Sequence, residues 1–263
     1  MSIPPFSVVL VNYKTPEITR ICLELLREPA KKLGFSVWVV DNNSADESTT
    51  YLRSLDWINF LERTPAADEP GFMGHGYALD MVLERANTDF LFLLHTDTFV
   101  YDHAVFGMML NECRKMNVVA VGCLDQIYRG QLRNHWRVAT RFLKYHARRL
   151  KIAVGLKSRP PKSYREQYIK SFCSLWDAKF IRAHGWTFSM DGMIPSYAIQ
   201  DKVRETGHKI KYIPARKMFR YLDHIEAGTV AAIGGYGGQH RRTKKYLALL
   251  GKYREGANGT PGQ

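Results

Sequence analysis

The chain has 263 residues, of which 45% are hydrophobic, and it carries a formal net charge of +13 at neutral pH. This length allows one large hydrophobic core or two modest ones. No apolar run approaches the roughly 20 residues that a membrane-spanning helix needs, and the first residues lack the basic and apolar segments of a signal peptide. The four cysteines show no CxxC spacing, so neither a disulfide framework nor a zinc site is expected, and the sequence predicts a cytoplasmic protein.

The positive charge is concentrated in one segment. Between Gln126 and Lys170 there are thirteen basic residues, and Glu166 is the one acidic residue. The rest of the chain is therefore close to neutral. A cationic block of this density predicts an anionic partner.

Strand and helix patterns alternate through the first half of the chain, which predicts a doubly wound α/β sheet. The predicted elements are a strand at 6–11, a helix that Thr15 caps and Pro16 begins, a strand at 36–40, a helix at 44–55, a strand at 58–61, a helix at 78–85, a strand at 90–94, a helix at 103–115 and a strand at 118–121 that completes this half. In such a sheet, ligands bind beyond the carboxyl ends of the strands, where Asn12, Asp41 and Asp97 all fall. We therefore expect these three residues to share a site.

The second half begins with a long basic helix. The pattern from 132 to 154 predicts a helix with Arg133, Arg137, Arg141 and Arg148 on one face. It is followed by a loop at 155–163, a strand at 169–176, helices at 178–183 and 196–206, strands at 210–213 and 219–223, a glycine cluster at 234–238 and a disordered tail at 255–263. The expected divisions of the chain are a first half at 1–124, a basic helical insertion at 125–168, a second half at 169–254 and the tail at 255–263.

The segment from Gly71 to Val100 carries the clearest chemical signal. A glycine-rich turn leads into a helix, and the apolar strand that follows ends on His95-Thr96-Asp97-Thr98. A carboxylate at the exposed end of a buried strand can hold Mn²⁺ or Mg²⁺ against a diphosphate, because such ions need few protein oxygens when phosphates supply the others.

Four segments in this order resemble the family 2 glycosyltransferases of GT-A fold, especially their rhamnosyltransferase-like branch: VVLVNY, VWVVDNNSADES, GFMGHGYALD and FLFLLHTDT. The resemblance covers about residues 6–123 and returns more loosely over about 169–226. It implies a nucleotide-sugar-binding first half and an acceptor-side second half. It also implies metal-dependent, inverting transfer of a sugar from a nucleoside diphosphate donor, with UDP or dTDP as the nucleotide, to a hydroxyl group.

The resemblance assigns roles to matching positions. Donor-binding positions are Asn12, Tyr13, Asp41, Asn43, Gly71, Gly74 and Thr96. Asn12 and Tyr13 would line the nucleotide pocket, and Asp41 would bind the base or ribose. Asp97 would be the metal-binding carboxylate of the motif written DxD, and His224 would lie near the metal and pyrophosphate.

One departure concerns the catalytic base. The family usually has an acidic pair about a dozen residues before the glycine that ends this helix, but Pro195 and Ser196 stand there. Asp191, in a glycine-flanked turn expected to face the cleft, is the preferred base, and Asp201 is expected to form surface pairs instead. A non-catalytic GT-A module that only binds a nucleotide sugar or an anionic polymer is the alternative.

The basic helix has three open interpretations. It could dock on an anionic membrane at the inner face of the cell membrane, which suits a lipid-linked or cell-envelope glycan acceptor. It could instead follow a nucleic acid backbone, with Trp136, Tyr145 and His146 stacking and a hydroxylated DNA base as acceptor. It could also be a solvated face. The membrane is favoured because Trp136, Phe142 and Leu143 give the helix an apolar side.

Overall fold

The computed structural model describes residues 4–225, 244 and 247–253. The first half alternates strands and helices as predicted: β1 (Phe6–Asn12), α1 (Pro16–Leu33), β2 (Ser36–Asp41), α2 (Glu47–Arg53), β3 (Asn59–Glu62), α3 (Gly74–Arg85) and β4 (Phe90–His95). The chain continues with β5 (Thr98–Val100), α4 (Ala104–Cys113), β6 (Val118–Gly122), α5 (Gln131–Ala153), β7 (Cys173–Asp177), α6 (Ala178–Ala183), α7 (Tyr197–Glu205), β8 (Lys209–Tyr212), α8 (Ala215–Met218) and β9 (Leu222–His224). A short 3-10 helix, Met190–Gly192, precedes α7, and residues 247–253 are helical. The glycine cluster predicted at 234–238 and the tail predicted at 255–263 lie outside the described residues.

Seven of the described strands form one mixed sheet in the order β3-β2-β1-β4-β7-β6-β8. The first four are parallel, and their register aligns Asn12 on β1 with Asp41 on β2, and Val11 with His95 on β4. Because parallel strands in register end at the same edge, the residues that follow β1, β2 and β4 meet at one end of the sheet. This is the edge at which the ligand site is expected.

A strand from late in the chain enters the middle of the sheet. β7 pairs antiparallel with β4 on one side and with β6 on the other. The strand predicted at 118–121 is present as β6, but β7 separates it from β4, so the first half does not complete the sheet alone. Residues Cys173 through Trp176 are fully buried, and pairing on both sides gives their backbone groups the hydrogen bonds that burial demands.

The predicted start of one strand and the predicted side-chain cap of α1 are wrong, because side chains make hydrogen bonds other than those expected. The strand predicted to begin at Ile169 begins only at Cys173, since the side-chain amide of Gln200 accepts from the N–H of Ile169 at 2.8 Å and donates to its carbonyl at 3.2 Å. Thr15 precedes α1 but does not cap it. Its hydroxyl donates instead to Oδ1 of Asn12 at 3.3 Å.

The sheet separates two apolar cores. Val8 and Leu10 of β1 point into the core that α1 and α4 cover, while Val9 between them points into the core under α3, α6 and α7. This alternation follows from the two-residue repeat of an extended strand. Cover on both faces explains why the central strands read as continuous apolar runs.

The long basic helix lies outside both cores. α5 has 23 residues, and none of them is buried. Neither α5 nor any other helix in the described ranges is long and apolar enough to cross a bilayer.

A buried carboxylate fastens the loop before α7 to α3. Asp80 accepts the N–H of Phe188 at 2.5 Å and that of Ser189 at 3.1 Å. Burial raises the pKa of Asp80, although these hydrogen bonds oppose the rise. Nearby, a Cβ placed on Gly76 would lie 3.2 Å from Pro195 Cγ, so the loop rests directly on the first turns of α3.

We expect Asp80→Ala to lower the free energy of unfolding by about 1–3 kcal/mol, because the buried N–H of Phe188 loses its acceptor. Urea denaturation followed by circular dichroism measures this change. Glu84→Ala, on the exposed side of the same helix, is the matched control and should change stability by less than about 0.5 kcal/mol. Equal midpoints for the two variants would show that Asp80 does not anchor the loop.

Candidate active site

A cleft of about 440 Å³ opens at the carboxyl ends of β1, β2 and β4. Five of the residues predicted to bind donor or metal line it: Tyr13, Asn43, Gly71, Thr96 and Asp97. This volume lies in the range of small-molecule sites. The structure thus brings together residues that are up to 84 positions apart in the chain.

Asn12 does not line this cleft. Its side chain is fully buried, and its amide nitrogen donates toward Asp41 Oδ1 at 2.7 Å, Ser44 Oγ at 3.0 Å and Ser48 Oγ at 2.7 Å. Its amide oxygen accepts from the hydroxyls of two α1 threonines, Thr15 and Thr19. The predicted place of Asn12 in the pocket wall is therefore wrong, because every polar atom of its side chain already has a partner inside the protein.

Asp41 is likewise occupied by protein groups. Its Oδ1 accepts from Asn12 and from the Ser44 hydroxyl at 2.5 Å. Its Oδ2 accepts from the Ser44 N–H at 3.1 Å and the Thr49 hydroxyl at 3.0 Å. The predicted bond from Asp41 to a base or ribose has no free acceptor position here, so Asp41 orients the loop after β2 rather than reaching into the cleft.

Gly74 lies at the start of α3, behind the cleft wall. A Cβ at this position would lie 2.9 Å from Nδ2 of Asn42 and 2.9 Å from Oε1 of Glu69, so a larger residue would have to displace the ends of these two side chains. Arg63 ties the same wall together: it donates to Asn42 Oδ1 at 2.6 Å and forms an ion pair with Glu69. Its guanidinium also lies over the ring of Tyr77, 5.2 Å from the centroid.

Two histidines and a carboxylate converge on one side of the cleft. One ligand atom each from His95, Asp97 and His224 lie within 4.8 Å of one another. His224 Nε2 is 3.3 Å from Asp97 Oδ1, and His95 Nδ1 is 3.7 Å from the same oxygen. β4 positions His95, and the pairing of Thr98 on β5 with His224 on β9 brings the late histidine to the motif.

The second nitrogen of each imidazole is held by a protein oxygen. Nδ1 of His224 lies 2.8 Å from the carbonyl of Gln126, which makes it the protonated nitrogen and turns the lone pair of Nε2 toward Asp97. Nε2 of His224 is buried and forms no hydrogen bond with any described group. His95 Nε2 lies 2.8 Å from Ser171 Oγ. Imidazoles oriented in this way beside a carboxylate fit a divalent metal ion.

Burial keeps the histidines of the cleft neutral. Desolvation lowers the pKa of His95 to about 4, although the nearby carboxylate of Asp97 opposes this shift. Desolvation, followed by repulsion from His95, lowers the pKa of His75 to about 3. Neutral imidazole is the form that ligates a metal, so the site needs no proton release from His95 at neutral pH.

Three ionisable cleft residues were not identified as site residues from the sequence: Glu69, His75 and His95. His95 opens the HTDT motif, and its position at the end of a strand was the signal that could have identified it. His75 stands between two glycines at the start of α3, where its side chain can only point to the cleft or to solvent. Nothing in the local sequence marks Glu69, whose place depends on Arg63.

The preferred base does not line the cleft. Asp191 is exposed, has a left-handed backbone with φ of 59°, and sits in the 3-10 turn of the loop that Asp80 fastens to α3. Asp201 forms surface pairs as expected, with Arg204 at 2.8 Å and the Tyr168 hydroxyl at 3.0 Å. The positions of the family's acidic pair, Pro195 and Ser196, are both buried.

The four arginines of the basic helix differ in their surroundings. Arg137 pairs with Asp125 at 2.5 Å, and Arg141 pairs with Glu166 at 2.6 Å. These two cations are thus already neutralised in part, which the sequence did not predict. Among the described residues, Arg148 donates to the carbonyl of Pro160 at 3.5 Å and pairs with no carboxylate, and Arg133 is exposed.

The comparisons with known proteins agree with this geometry. The family model described as "Glycosyl transferase family 2" matches residues 7–172, more than half of the chain. No curated protein matches. Among solved structures, a mannosyltransferase from Pyrobaculum calidifontis in complex with GDP-Man and Mn²⁺ is similar, with a TM-score of 0.56 and 15% identity over 96% of this chain and 82% of its own.

A glucosyl-3-phosphoglycerate synthase from Mycobacterium tuberculosis, in complex with Mn²⁺, UDP and phosphoglyceric acid, has a TM-score of 0.52 and 15% identity over 88% of this chain and 78% of its own. The same synthase with phosphoglyceric acid has a TM-score of 0.51 and 17% identity over 95% of this chain and 80% of its own. At these identities the likeness shows the fold. The predicted fold class is confirmed, and the rhamnosyltransferase-like branch stays a prediction. The chain belongs to glycosyl transferase family 2 and is a glycosyltransferase of GT-A fold.

Proposed function

We propose that this glycosyltransferase moves a sugar, with inversion, from a UDP- or dTDP-sugar to a hydroxyl group of a lipid-linked or cell-envelope glycan, and that it does so at the cytoplasmic surface of a membrane. The observation that carries the donor half of this proposal is the group of His95, Asp97 and His224, of which His95 and Asp97 line the 440 Å³ cleft. Similar folds were solved with nucleotide sugars and Mn²⁺, which supports the same ligand class for this cleft.

His95, Asp97 and His224 would hold Mn²⁺ or Mg²⁺. When bound, the ion supplies Lewis-acid stabilisation of the charge on the departing diphosphate. The strongest support for a cation here is Nε2 of His224, which is buried and forms no hydrogen bond with a described group. The Gln126 carbonyl, at Nδ1 of the same ring, holds Nε2 in this orientation. Tyr13 and Asn43, which also line the cleft, would bind the nucleotide.

Transfer requires a group that removes the proton of the acceptor hydroxyl. The bond from the acceptor oxygen to the anomeric carbon forms as the bond from that carbon to the diphosphate oxygen breaks, and the hydroxyl proton passes to the base. Asp191 is proposed for this role because its loop rests on α3 next to the cleft, with Gly76 in contact with the loop. Asp201, the alternative, is held by Arg204 and the Tyr168 hydroxyl.

The donor proposal is tested by a thermal-shift panel of UDP-, dTDP- and GDP-sugars with and without Mn²⁺. A ligand at a hundred times its Kd adds about 2.7 kcal/mol, which corresponds to a rise in Tm of roughly 5 to 10 °C for a chain of this size. We expect this rise for a UDP- or dTDP-sugar only with metal, and we expect Asp97→Asn and His224→Ala to abolish it. His135→Ala, on the exposed surface of α5, is the control and should keep it. A metal-independent rise, or one that survives Asp97→Asn, would contradict the assignment.

For the base, we expect Asp191→Asn to lower the transfer rate by about 10²- to 10⁴-fold, because the hydroxyl proton then has no acceptor. Donor-induced thermal shifts should be unchanged, since the substitution lies outside the cleft. Transfer is measured as nucleoside diphosphate released in the presence of a membrane extract that supplies acceptors. Asp201→Asn is the paired variant and should retain the rate. Full transfer by Asp191→Asn would reject this base, and a loss confined to Asp201→Asn would assign the role to Asp201.

The observation that favours the membrane is an exposed apolar stripe along α5. Its members are Leu132, Trp136, Leu143, Leu150 and Val154, which follow one another at intervals of four and seven residues. Leu132 is 87% exposed and Trp136 is 74% exposed. A helix with such a stripe and many flanking cations fits the interface of an anionic bilayer, where apolar side chains insert and Lys and Arg meet the head groups. A nucleic acid backbone would give the aliphatic residues nothing to contact.

We expect the chain to co-sediment with vesicles of phosphatidylglycerol and phosphatidylcholine, and less with phosphatidylcholine alone. Trp136→Ser combined with Leu143→Ser should weaken vesicle binding by about tenfold or more, since each buried apolar side chain contributes about 1.5–3 kcal/mol. Met116→Ser, at an 84% exposed methionine outside α5, is the control. Duplex DNA is titrated with salt in parallel. Strong, salt-sensitive DNA binding without vesicle binding would show that the partner of α5 is a nucleic acid and not a membrane.

A further inference from the structure

A further cavity of about 490 Å³ lies beneath α5, and it shares no lining residue with the donor cleft. α5 forms one wall, residues 162–168 form another, and Tyr197 at the start of α7 closes the end. Neither the family match nor the similar structures assign this cavity a role.

The cavity is strongly cationic. Five basic side chains line it against the single carboxylate of Glu166: Arg141, Lys144, Arg148, Lys162 and Arg165. Glu166 is already shared by three cations, since it lies 2.6 Å from Arg141, 3.4 Å from Lys170 and 3.7 Å from Arg137. Lys144, Arg148, Lys162 and Arg165 form no ion pair with any carboxylate in the described ranges. Four cations thus line one space without a carboxylate partner among the described residues.

The end wall of the cavity is held in place. The rings of Tyr168 and Tyr197 stack at 4.1 Å with an angle of 11° between them. The Tyr197 hydroxyl accepts from Lys170 Nζ at 2.8 Å, and the Tyr168 hydroxyl donates to Asp201 Oδ2 at 3.0 Å. Because the side chains of this wall are already held in place, little of their conformational entropy would be lost when an anion binds.

The cavity and the apolar stripe lie on different faces of α5. At about 100° per residue, Arg141, Lys144 and Arg148 cluster around one direction, and Leu143 and Leu150 point roughly 140° away from it. The cations of the cavity therefore do not belong to the face proposed to meet the membrane.

A short stretch of chain joins the cavity to the metal-binding group. Tyr168 lines the cavity, and Ser171 Oγ lies 2.8 Å from His95 Nε2. Three residues span at most about 11 Å, so the two sites are within reach of one molecule. Arginine forks and lysine ammonium groups together are the usual partners of phosphate oxygens.

We infer that this cavity binds a phosphate or diphosphate group carried by the sugar acceptor, which makes the acceptor a phosphorylated molecule. This inference rests on the proposed function, because it treats the donor cleft as the site of transfer. With its phosphate between α5 and residues 162–168, the acceptor presents its hydroxyl toward the cleft. The cationic block thereby selects the acceptor rather than only attracting anions.

The test is calorimetric titration of the full chain with inorganic pyrophosphate in metal-free buffer, where Mn²⁺-linked binding in the donor cleft cannot contribute. We expect saturable binding that Lys144→Ala combined with Arg148→Ala weakens by about tenfold or more, because two charge-assisted contacts are lost. Lys151→Ala combined with Lys157→Ala removes the same charge from exposed positions outside the cavity and should stay within about twofold of the unchanged protein. Equal pyrophosphate affinity in the two double variants, or no binding to the unchanged protein, would overturn the inference.

Two further measurements, a competition with vesicles and a thermal shift, distinguish a lipid phosphate from a soluble one and the acceptor proposal from the donor proposal. One outcome is that vesicles with phosphatidic acid displace pyrophosphate and bind the Lys144→Ala, Arg148→Ala variant more weakly than the unchanged protein. This outcome indicates that the phosphate belongs to a lipid. Pyrophosphate binding that such vesicles do not affect indicates a soluble phosphorylated acceptor, and either result supports the inference. The same variant should keep its Mn²⁺-dependent nucleotide-sugar shift. If nucleotide sugars shift the Tm but pyrophosphate does not bind, the acceptor site is refuted and the donor proposal stands. If pyrophosphate binds but no nucleotide sugar shifts the Tm, the donor proposal and the acceptor role are both refuted. The cavity is then an anion-binding site of another kind.

Discussion

The buried amide of Asn12 is the constraint on which the mouth of the cleft depends. It joins the end of β1 to Asp41 at the end of β2, to the start of α2 and to the first turn of α1. A buried polar network of this kind holds one geometry, because any rearrangement would leave a buried group without its partner. The loops after β1 and β2 are fixed to it from both sides: the Lys14 N–H donates to Ser44 Oγ at 2.9 Å, and the Asn42 N–H donates to the Asn12 carbonyl at 2.9 Å. Asn12 thus shapes one wall of the cleft without lining it.

The backbone near this network is held in uncommon conformations. Lys14, Asn43 and Ala45 all have positive φ values, of 51°, 64° and 50°. Such conformations cost about 1 kcal/mol or more each for residues other than glycine and persist where the surroundings over-determine them. Here the surroundings are the hydrogen bonds of Asn12 and Asp41. The strain lies in the two loops that carry Tyr13 and Asn43 into the cleft, so the stability of the network is what positions these side chains.

The sequence was sufficient for features that depend on neighbouring residues. A buried parallel strand ending in Thr96 and Asp97 must deliver those side chains to the carboxyl edge of the sheet, and the structure places both in the cleft. The resemblance also placed His224 near the metal, and the structure brings its Nε2 to 3.3 Å from Asp97 Oδ1. The pairing of β5 with β9 that produces this approach is not encoded by any local pattern. For Asn12 and Asp41 the sequence located the strand ends correctly but could not show that the side chains turn inward, because the partners that satisfy them come from α1 and α2.

The absence of the usual acidic pair changes how the acceptor side must work. Pro195 and Ser196 are buried at the start of α7, and Ser196 has a left-handed backbone with φ of 71°, so the helix begins directly after a turn rather than presenting carboxylates to the cleft. Asp191, with φ of 59°, stands at the other end of the same segment.

The hydrogen bonds from Phe188 and Ser189 to Asp80 secure one end of this segment to α3. α7 secures the other end, since Tyr197 packs against Tyr168 at the wall of the cationic cavity. A ligand in that cavity would therefore contact the helix that follows the segment of Asp191, and through Ser171 it would lie close to His95. A ligand in that cavity would thus be linked to Asp191 and to His95 through one continuous set of contacts.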